Sequence, residues 1–250
     1  PLEAEGFAGG YYLHDRLPLT RNDIYFMDEA ADILVLFSGY IYNKKELATA
    51  SGGDVSSREP AIAAALFLTD GPDFVRKLNG DFAIFICRPA ARQAYLFRDQ
   101  MGVRPIAWTL HGGKLVFSSD NRELSRLTAG GKGPETSWLT GYFRYVDFKE
   151  SPCKNVNKLL PGHYLEYTGG GIRTTRYWDP GKIRTDRRMD YDAMISDLKQ
   201  LVSDAVAIRC DSRFNAGSHV SSGIDSGLVA SLARAEYSSQ QLFYGYSWSP

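Results

Sequence analysis

The stretch DFAIFICRPAARQAYLFRD, residues 81–99, decides the fold class because it is typical of an antiparallel hairpin. Two apolar runs rich in β-branched and aromatic residues flank a polar, Pro-containing connection. The same plan recurs in residues 105–120, where Gly112 and Gly113 supply the turn, and in residues 163–178, which turn at three glycines. Hairpins with little helix between them predict stacked antiparallel sheets rather than a parallel α/β fold.

Helical segments are interleaved with these hairpins. Residues 57–71, SREPAIAAALFLTDG, predict a helix with Ser57 as its cap, Pro60 in its first turn and Gly71 at its end. A shorter helix is predicted over residues 137–146, where aromatic residues recur at helical spacing. The first part of the chain is therefore predicted to be an α+β domain.

Composition and charge exclude several classes of function. The 250 residues carry 29 Lys and Arg against 29 Asp and Glu, so we expect neither a nucleic acid nor a membrane partner. No apolar run approaches the roughly 18 residues of a membrane span, and the opening PLEAEGFAGG does not have the pattern of a signal peptide. Cys87, Cys153 and Cys210 form no CxxC pair, which favours reduced thiols in a cytoplasmic protein, with Cys87 buried in a strand.

The character of the sequence changes after the first domain. We place that domain at residues 1–180, a polar linker at 181–190 and the start of a second domain at 191–250. The second domain opens with a predicted amphipathic helix, followed by a strand, a loop, a helix over residues 227–237 and a strand, which is how a parallel α/β sheet begins. The apolar face of the first helix comprises Met194, Ile195, Leu198, Leu201, Val202, Ala205 and Ile208.

The loop HVSSGIDSG, residues 219–227, has the composition of an anion-binding site. A strand that runs through Ser and Gly into a helix presents free N–H groups and the positive end of the helix dipole. Asp225 would repel a bare phosphate and fits only if Mg²⁺ lies between them. The candidate residues are Val220, Ser221, Ser222, Gly223, Asp225 and Ser226. Taken alone, the string also fits a simple N-cap turn.

The loop and four further blocks together resemble the asparagine synthetase family and related adenylating amidoligases. The loop is similar to that family's S-G-G-x-D-S pyrophosphate loop. FSGYIYNKKELA (37–48) resembles F-N-G-E-I-Y-N-x-x-E-L, and residues 78–108 resemble its L-x-G-x-F-A-F and R-D-x-x-G-x-K-P-L-Y segments. LVFSSDNREL (115–124) and KLLPGHYLEY (158–167) match F-A-S-E-I-K-A-L and K-L-P-P-G-H-Y-L. The blocks keep the family order over nearly the whole chain.

The resemblance implies a four-layer αββα sandwich of the Ntn-hydrolase type, followed by the first strand, loop and helix of a parallel α/β synthetase domain. It implies that the parent protein uses ATP and Mg²⁺ to convert a carboxylate into an acyl-adenylate. In such enzymes an N-terminal cysteine releases ammonia from glutamine, and the ammonia attacks the adenylate. In the loop, Asp225 would hold the metal of Mg-ATP, and the remaining candidate residues would bind pyrophosphate.

The chain departs from the family where glutamine would react. The family start C-G-I-A-G aligns with EGFAG, which places Glu5 at the position of the nucleophile. Asn-Gly-Glu of the family becomes Ser38, Gly39 and Tyr40, so an oxyanion-hole amide and an ammonium-binding carboxylate are missing. Asp99 alone matches a glutamine contact, and it is equally well interpreted as a turn residue.

We therefore expect a degenerate glutaminase domain with no catalytic residue of its own, as in β-lactam synthetases and lasso-peptide cyclases. The expected partners are a small-molecule or peptide carboxylate substrate and the remainder of the synthetase domain, and a homodimer is left open. Ser222 replaces a family glycine, and its Cβ would obstruct phosphate if that position required a positive φ. The alternatives are a non-catalytic scaffold of the same lineage and a glutamine-hydrolysing asparagine synthase with defects in this variant.

Overall fold

A computed structural model of the chain describes residues 2–4, 7–12, 19–51, 58–127, 138, 151–169, 171–185, 188 and 190–248. The chain divides into two compact units. Of the described residues, those up to residue 12 and residues 20–182 belong to the first unit, whereas residue 19 and the residues from 183 onward belong to the second. The domain limits and the linker drawn from the sequence remain predictions.

The first unit consists mostly of strands joined by short turns. In chain order its strands and α-helices are β1 (Leu2–Ala4), β2 (Phe7–Gly9), β3 (Tyr25–Asp28), β4 (Ile33–Ile41), α1 (Lys44–Ser51), α2 (Glu59–Asp70), β5 (Gly80–Arg88), β6 (Gln93–Arg98), β7 (Ala107–His111), β8 (Lys114–Ser118), α3 (Asn121–Leu127), β9 (Asn157–Lys158), β10 (His163–Thr168) and β11 (Gly171–Arg176). Within the described residues, six of these strands form an antiparallel sheet in the order β11-β10-β6-β5-β4-β3. A smaller antiparallel sheet has the order β8-β7-β9.

The larger sheet buries both of its faces. Phe97 on one face packs against Phe67 of α2, with ring centroids 6.4 Å apart. Phe85 on the other face stacks on Phe117 of the smaller sheet at 4.5 Å. Leu124 of α3 packs against the far face of the smaller sheet. The layers run helix, sheet, sheet, helix, which confirms the predicted αββα sandwich.

The three hairpins predicted from the sequence are all present. β5 pairs with β6, β7 with β8, and β10 with β11. Gly112 and Gly113 both have a positive φ, as the tight turn between β7 and β8 requires. The pattern of apolar residues predicted these strands correctly because successive residues of a strand point to opposite faces of the sheet.

Helix α2 confirms most of the prediction for its segment. Pro60 lies in the first turn, and Gly71 ends the helix with a φ of 61°. The N-cap residue is Arg58, which makes no side-chain capping bond, instead of the predicted Ser57. Ser57 and nearly all of the helix predicted at 137–146 lie outside the described residues.

The second unit contains α4 (Tyr191–Ala207), β12 (Ala216–His219), α5 (Ile224–Glu236) and β13 (Phe243–Tyr246). β12 and β13 pair in parallel, which confirms the predicted opening of a parallel sheet. α5 begins at Ile224, three residues before the predicted helix, because Gly223 adopts the extended conformation of an N-cap residue. Asp225 consequently lies in the first turn of α5 rather than in the preceding loop.

The second unit leaves its apolar side chains largely exposed. Leu198 and Leu201 of α4 are more than half exposed, and Tyr237 is the one buried hydrophobic residue described in this unit. The N-terminus of α4 is nonetheless well capped, because the Asp190 carboxylate accepts hydrogen bonds from the amides of Asp192 and Ala193. Within the described residues, no helix combines the length and the apolar character needed to cross a membrane.

Candidate functional site

The residues predicted for the glutamine pocket gather at one end of the larger sheet. Ser38 of β4 is opposite Ala83 of β5, which is opposite Arg98 of β6. Strand alternation places Ser38 and Tyr40 on the face that packs against the smaller sheet. Ser38 is exposed and Tyr40 is part-buried. The structure thus brings Ser38, Gly39 and Tyr40 to the same edge of the sheet as Asp99, which follows β6.

Gly39 lies where two backbones approach closely. Its φ is +132°, a conformation that residues with a Cβ rarely adopt. A Cβ at this position would overlap the Asp81 carbonyl oxygen. The Asp81 carboxylate accepts a hydrogen bond of 2.6 Å from the Tyr42 hydroxyl. The backbone at this position therefore requires glycine even though the flanking residues differ from the family pattern.

We predict that Gly39→Ala destabilises the protein by about 3 kcal/mol, because the new methyl group meets backbone and the φ becomes strained. Urea unfolding followed by circular dichroism measures the loss. Gly113→Ala is the matched control, since its φ is also positive but no atom lies within 4 Å of the place that the added methyl group would occupy. An equal loss in both variants would show that φ strain alone, and not the contact with Asp81, accounts for the effect.

Asp99 organises the turn that follows β6. Its side chain is completely buried, and its two carboxylate oxygens accept hydrogen bonds from the amides of Val103 and Arg104, each 2.9 Å long. Its backbone carbonyl accepts from Gly102 and Gly162. This geometry favours the turn-residue interpretation of Asp99. The glutamine-contact role remains a prediction.

Arg98 is a structural residue that the sequence analysis did not identify. Its guanidinium donates to the carbonyls of Gly102, Arg104 and Leu159 at 2.7, 2.9 and 2.6 Å. Burial lowers the Arg98 pKa from its ordinary value, and the neighbouring Asp99 charge opposes that shift. The sequence signal that could have identified this role is the Arg-Asp pair at the end of a predicted strand, followed by Gly102 and Pro105. Together the two residues hold the turn of residues 99–105 in one conformation.

We predict that Asp99→Asn destabilises the protein by about 2–3 kcal/mol, because one buried amide loses its charged acceptor. Asp73→Asn serves as the control, since Asp73 forms an exposed i,i+3 pair with Arg76 and should change stability by less than about 0.5 kcal/mol. Urea unfolding at neutral pH measures both values. Unchanged stability of Asp99→Asn would contradict the turn-organising role and favour ligand contact.

Glu5, at the position of the nucleophile, lies outside the described residues. Phe7, two positions later, stacks on Phe85 at 5.1 Å. Since Phe85 belongs to the face of the larger sheet that meets the smaller one, β2 approaches the same inter-sheet face that carries Ser38. Strand β2, Ser38 and Tyr40 therefore share one face of the sheet.

Two of the thiols, those of Cys87 and Cys210, are poorly suited to act as nucleophiles. Cys87 is buried in β5, as predicted, and burial together with the Asp32 charge raises its pKa to about 11. Burial also raises the pKa of Cys210. A thiol with a raised pKa supplies little of the reactive thiolate at neutral pH.

The loop between β12 and α5 is organised by its own serines. The Ser226 hydroxyl accepts from the amide of Ser221 at 3.0 Å, lies 2.9 Å from the Ser221 hydroxyl, and is 3.1 Å from the Gly223 carbonyl oxygen. The Ser221 hydroxyl in turn accepts from the Gly223 amide. Val220 continues the parallel pairing by donating to the Tyr246 carbonyl. The loop is therefore closed by internal hydrogen bonds before any ligand is considered.

The first turn of α5 presents the groups left for an anion. Since the first N–H groups of a helix have no partner within it, those of Ile224 and Asp225 remain available. The Asp225 carboxylate is exposed in the same turn. Ser222 is exposed and does not adopt a positive φ, so its Cβ is not strained. No group of three or more His, Cys, Asp or Glu residues that could hold a metal ion occurs among the described residues.

Two family models match successive parts of the chain. One, for a glutamine amidotransferase domain, covers residues 18–178. The other, for asparagine synthase, covers residues 197–244 and so includes the loop and α5. The two matches occur in the order expected from the sequence blocks.

Individual proteins support the same assignment. The chain is 28% identical to glutamine-hydrolyzing asparagine synthetase 2 of Bacillus subtilis, over 87% of this chain and 31% of the relative. It is 29% identical to amidase chyE of Penicillium rubens, over 84% and 32%. The chain thus spans about a third of the length of these curated relatives. Among solved structures, B. subtilis glutamine phosphoribosylpyrophosphate amidotransferase aligns with 85% of this chain and 45% of its own, at 13% identity and a TM-score of 0.41, a likeness too low to support an inference.

Proposed function

Because this chain belongs to the glutamine amidotransferase domain family, in the lineage of the asparagine synthetases, we propose that it is part of an ATP-dependent enzyme that forms amide bonds. The observation that carries the proposal is the loop and helix N-terminus after β12. A parallel strand leads there through Gly223 into α5, with the Asp225 carboxylate exposed beside free N–H groups. The enzyme would activate a small-molecule or peptide carboxylate as an acyl-adenylate.

Each group of the loop has a role in this proposal. The amides at the start of α5 would bind the pyrophosphate oxygens, and the hydroxyls of Ser221 and Ser226 would hold the loop open for them. Asp225 would hold Mg²⁺, which commonly takes one or two protein carboxylates together with phosphate oxygens and water. When bound, the metal neutralises phosphate charge. Val220 and Ser222 would border the site, and an unstrained Ser222 supports retained binding.

We further propose that the glutaminase activity of the first unit is lost. Glu5 cannot provide the thiol and terminal amine that the family mechanism uses. Ser38 and Tyr40 have replaced an amide donor and a carboxylate at the pocket edge, whereas Gly39 is retained for its backbone conformation. The attacking amine would then come from the substrate instead of from glutamine, and the first unit would serve as a scaffold.

Exchange of radiolabelled pyrophosphate into ATP, by the protein that contains these residues and in the presence of candidate carboxylates, tests the proposal. Carboxylate-dependent exchange supports adenylate formation. If no exchange and no ATP binding occur, the non-catalytic scaffold is the better account. Release of glutamate from glutamine would instead favour an active asparagine synthase. The other predicted partners, the homodimer and the cytoplasmic location remain predictions.

A further inference from the structure

The turn of residues 99–105 carries a cation that the protein itself does not satisfy. The Arg104 guanidinium makes no hydrogen bond and no ion pair with any described residue, and its Nε is buried without an acceptor. The two terminal nitrogens are not among the buried unsatisfied atoms, so they reach solvent. An unpaired, part-buried guanidinium lowers stability, which suggests that it is kept for a ligand.

The backbone that carries Arg104 is rigidly held. Asp99 accepts from the Arg104 amide, and Arg98 donates to the Arg104 carbonyl. Gly102 has a φ of +70° and lies so close to Pro161 that a Cβ would meet the proline ring at 2.6 Å. Because the turn is already ordered, a ligand bound there would cost little conformational entropy.

Exposed apolar residues lie close to Arg104 in the sequence of this turn. Met101 is 73% exposed and Val103 is 55% exposed, although both lie on a turn with fixed backbone. Methionine and arginine are enriched at the centres of protein binding surfaces because they combine adaptable apolar contact with planar hydrogen bonding. The same short turn therefore carries a guanidinium fork and two exposed apolar side chains.

We infer that this turn binds a carboxylate that carries an apolar group, with the carboxylate on Arg104 and the apolar group on Met101 and Val103. The guanidinium fork matches a carboxylate in charge and in geometry. The inference goes beyond the proposed function, since it requires neither the loss of the glutaminase nor ATP chemistry. The ligand is either a free acid or the C-terminus of a peptide, which share this chemistry.

NMR titration of the ¹⁵N-labelled chain with N-acetyl-L-leucine tests the site, with amide shifts expected at residues 101–104. N-acetyl-L-leucinamide, which lacks the carboxylate, and sodium acetate, which lacks the apolar group, should bind at least about tenfold more weakly. Hexanoate distinguishes the sources: equal binding points to a free acid, and weaker binding points to a peptide C-terminus. Equal shifts with the leucinamide, or stronger shifts with sodium phosphate at matched ionic strength, would overturn the inference.

Substitutions separate binding from structure. Arg104→Met should weaken N-acetyl-L-leucine binding about tenfold or more without lowering the melting temperature, because it removes an unsatisfied cation. Arg88→Met is the matched control: the Arg88 Nε is also buried without an acceptor, but the side chain pairs with Asp32 at 3.7 Å near the other end of β5. The Arg88 variant should lose stability and keep binding. A drop in melting temperature for Arg104→Met equal to that of Arg88→Met, with binding unchanged, would contradict the site.

Discussion

We expect the chain to release no glutamate from glutamine above a protein-free blank. The family resemblance implies hydrolysis by an N-terminal thiolate, and it aligns that nucleophile with the carboxylate-bearing Glu5. The thiol of Cys87 cannot substitute, since its burial within the sheet raises its pKa to about 11. A coupled glutamate dehydrogenase assay on the purified chain measures the release.

A pair of engineered chains makes this expectation quantitative. In the first, Glu5→Cys is produced so that position 5 is the N-terminal residue. In the second, Ser38→Asn is added to restore the amide donor beside Gly39. Because one oxyanion donor contributes about 100-fold or more to such reactions, the second chain should exceed the first by about that factor. Glutamate release by the unaltered chain would contradict the proposed loss of activity.

We expect Asp225→Asn to lower ATP–pyrophosphate exchange by about 100-fold or more in the protein that contains these residues, because the substitution removes the charge proposed to hold Mg²⁺ against the phosphates. Asp225 is exposed in the first turn of α5. Its replacement by an uncharged isostere should therefore leave the fold intact. Exchange of radiolabelled pyrophosphate into ATP at saturating Mg²⁺ measures the effect.

Asp204→Asn provides the matched control for that experiment. Asp204 is also an exposed helical aspartate of the second unit, but it lies near the C-terminal end of α4 and outside the loop. The control should exchange pyrophosphate at the rate of the unaltered protein. Equal rates for both variants would show that Asp225 does not anchor the metal, while equal loss in both would indicate damage to the unit as a whole.

The hairpins could be predicted from the local sequence pattern more accurately than the ends of the helices. The three hairpins could be predicted because turn glycines and alternating apolar residues act over a few neighbouring positions. The cap of α2 was wrong by one position, and the start of α5 by three, since helix ends depend on backbone geometry that composition indicates only weakly. Because Gly223 adopts the N-cap conformation, α5 begins at Ile224 and Asp225 lies in its first turn.

The sequence by itself predicted an α+β domain with stacked antiparallel sheets, because periodicity and turn residues act locally. The resemblance of its motifs to a known family implied the αββα sandwich, and the departures at Glu5, Ser38 and Tyr40 remain predictions from that alignment. Only the tertiary structure decided that the buried Asp99 accepts from two turn amides, that Ser222 has no positive φ and that the Arg104 Nε has no acceptor among the described residues. Hydrogen-bond satisfaction depends on groups brought together from distant parts of the chain, so no local pattern can reveal it.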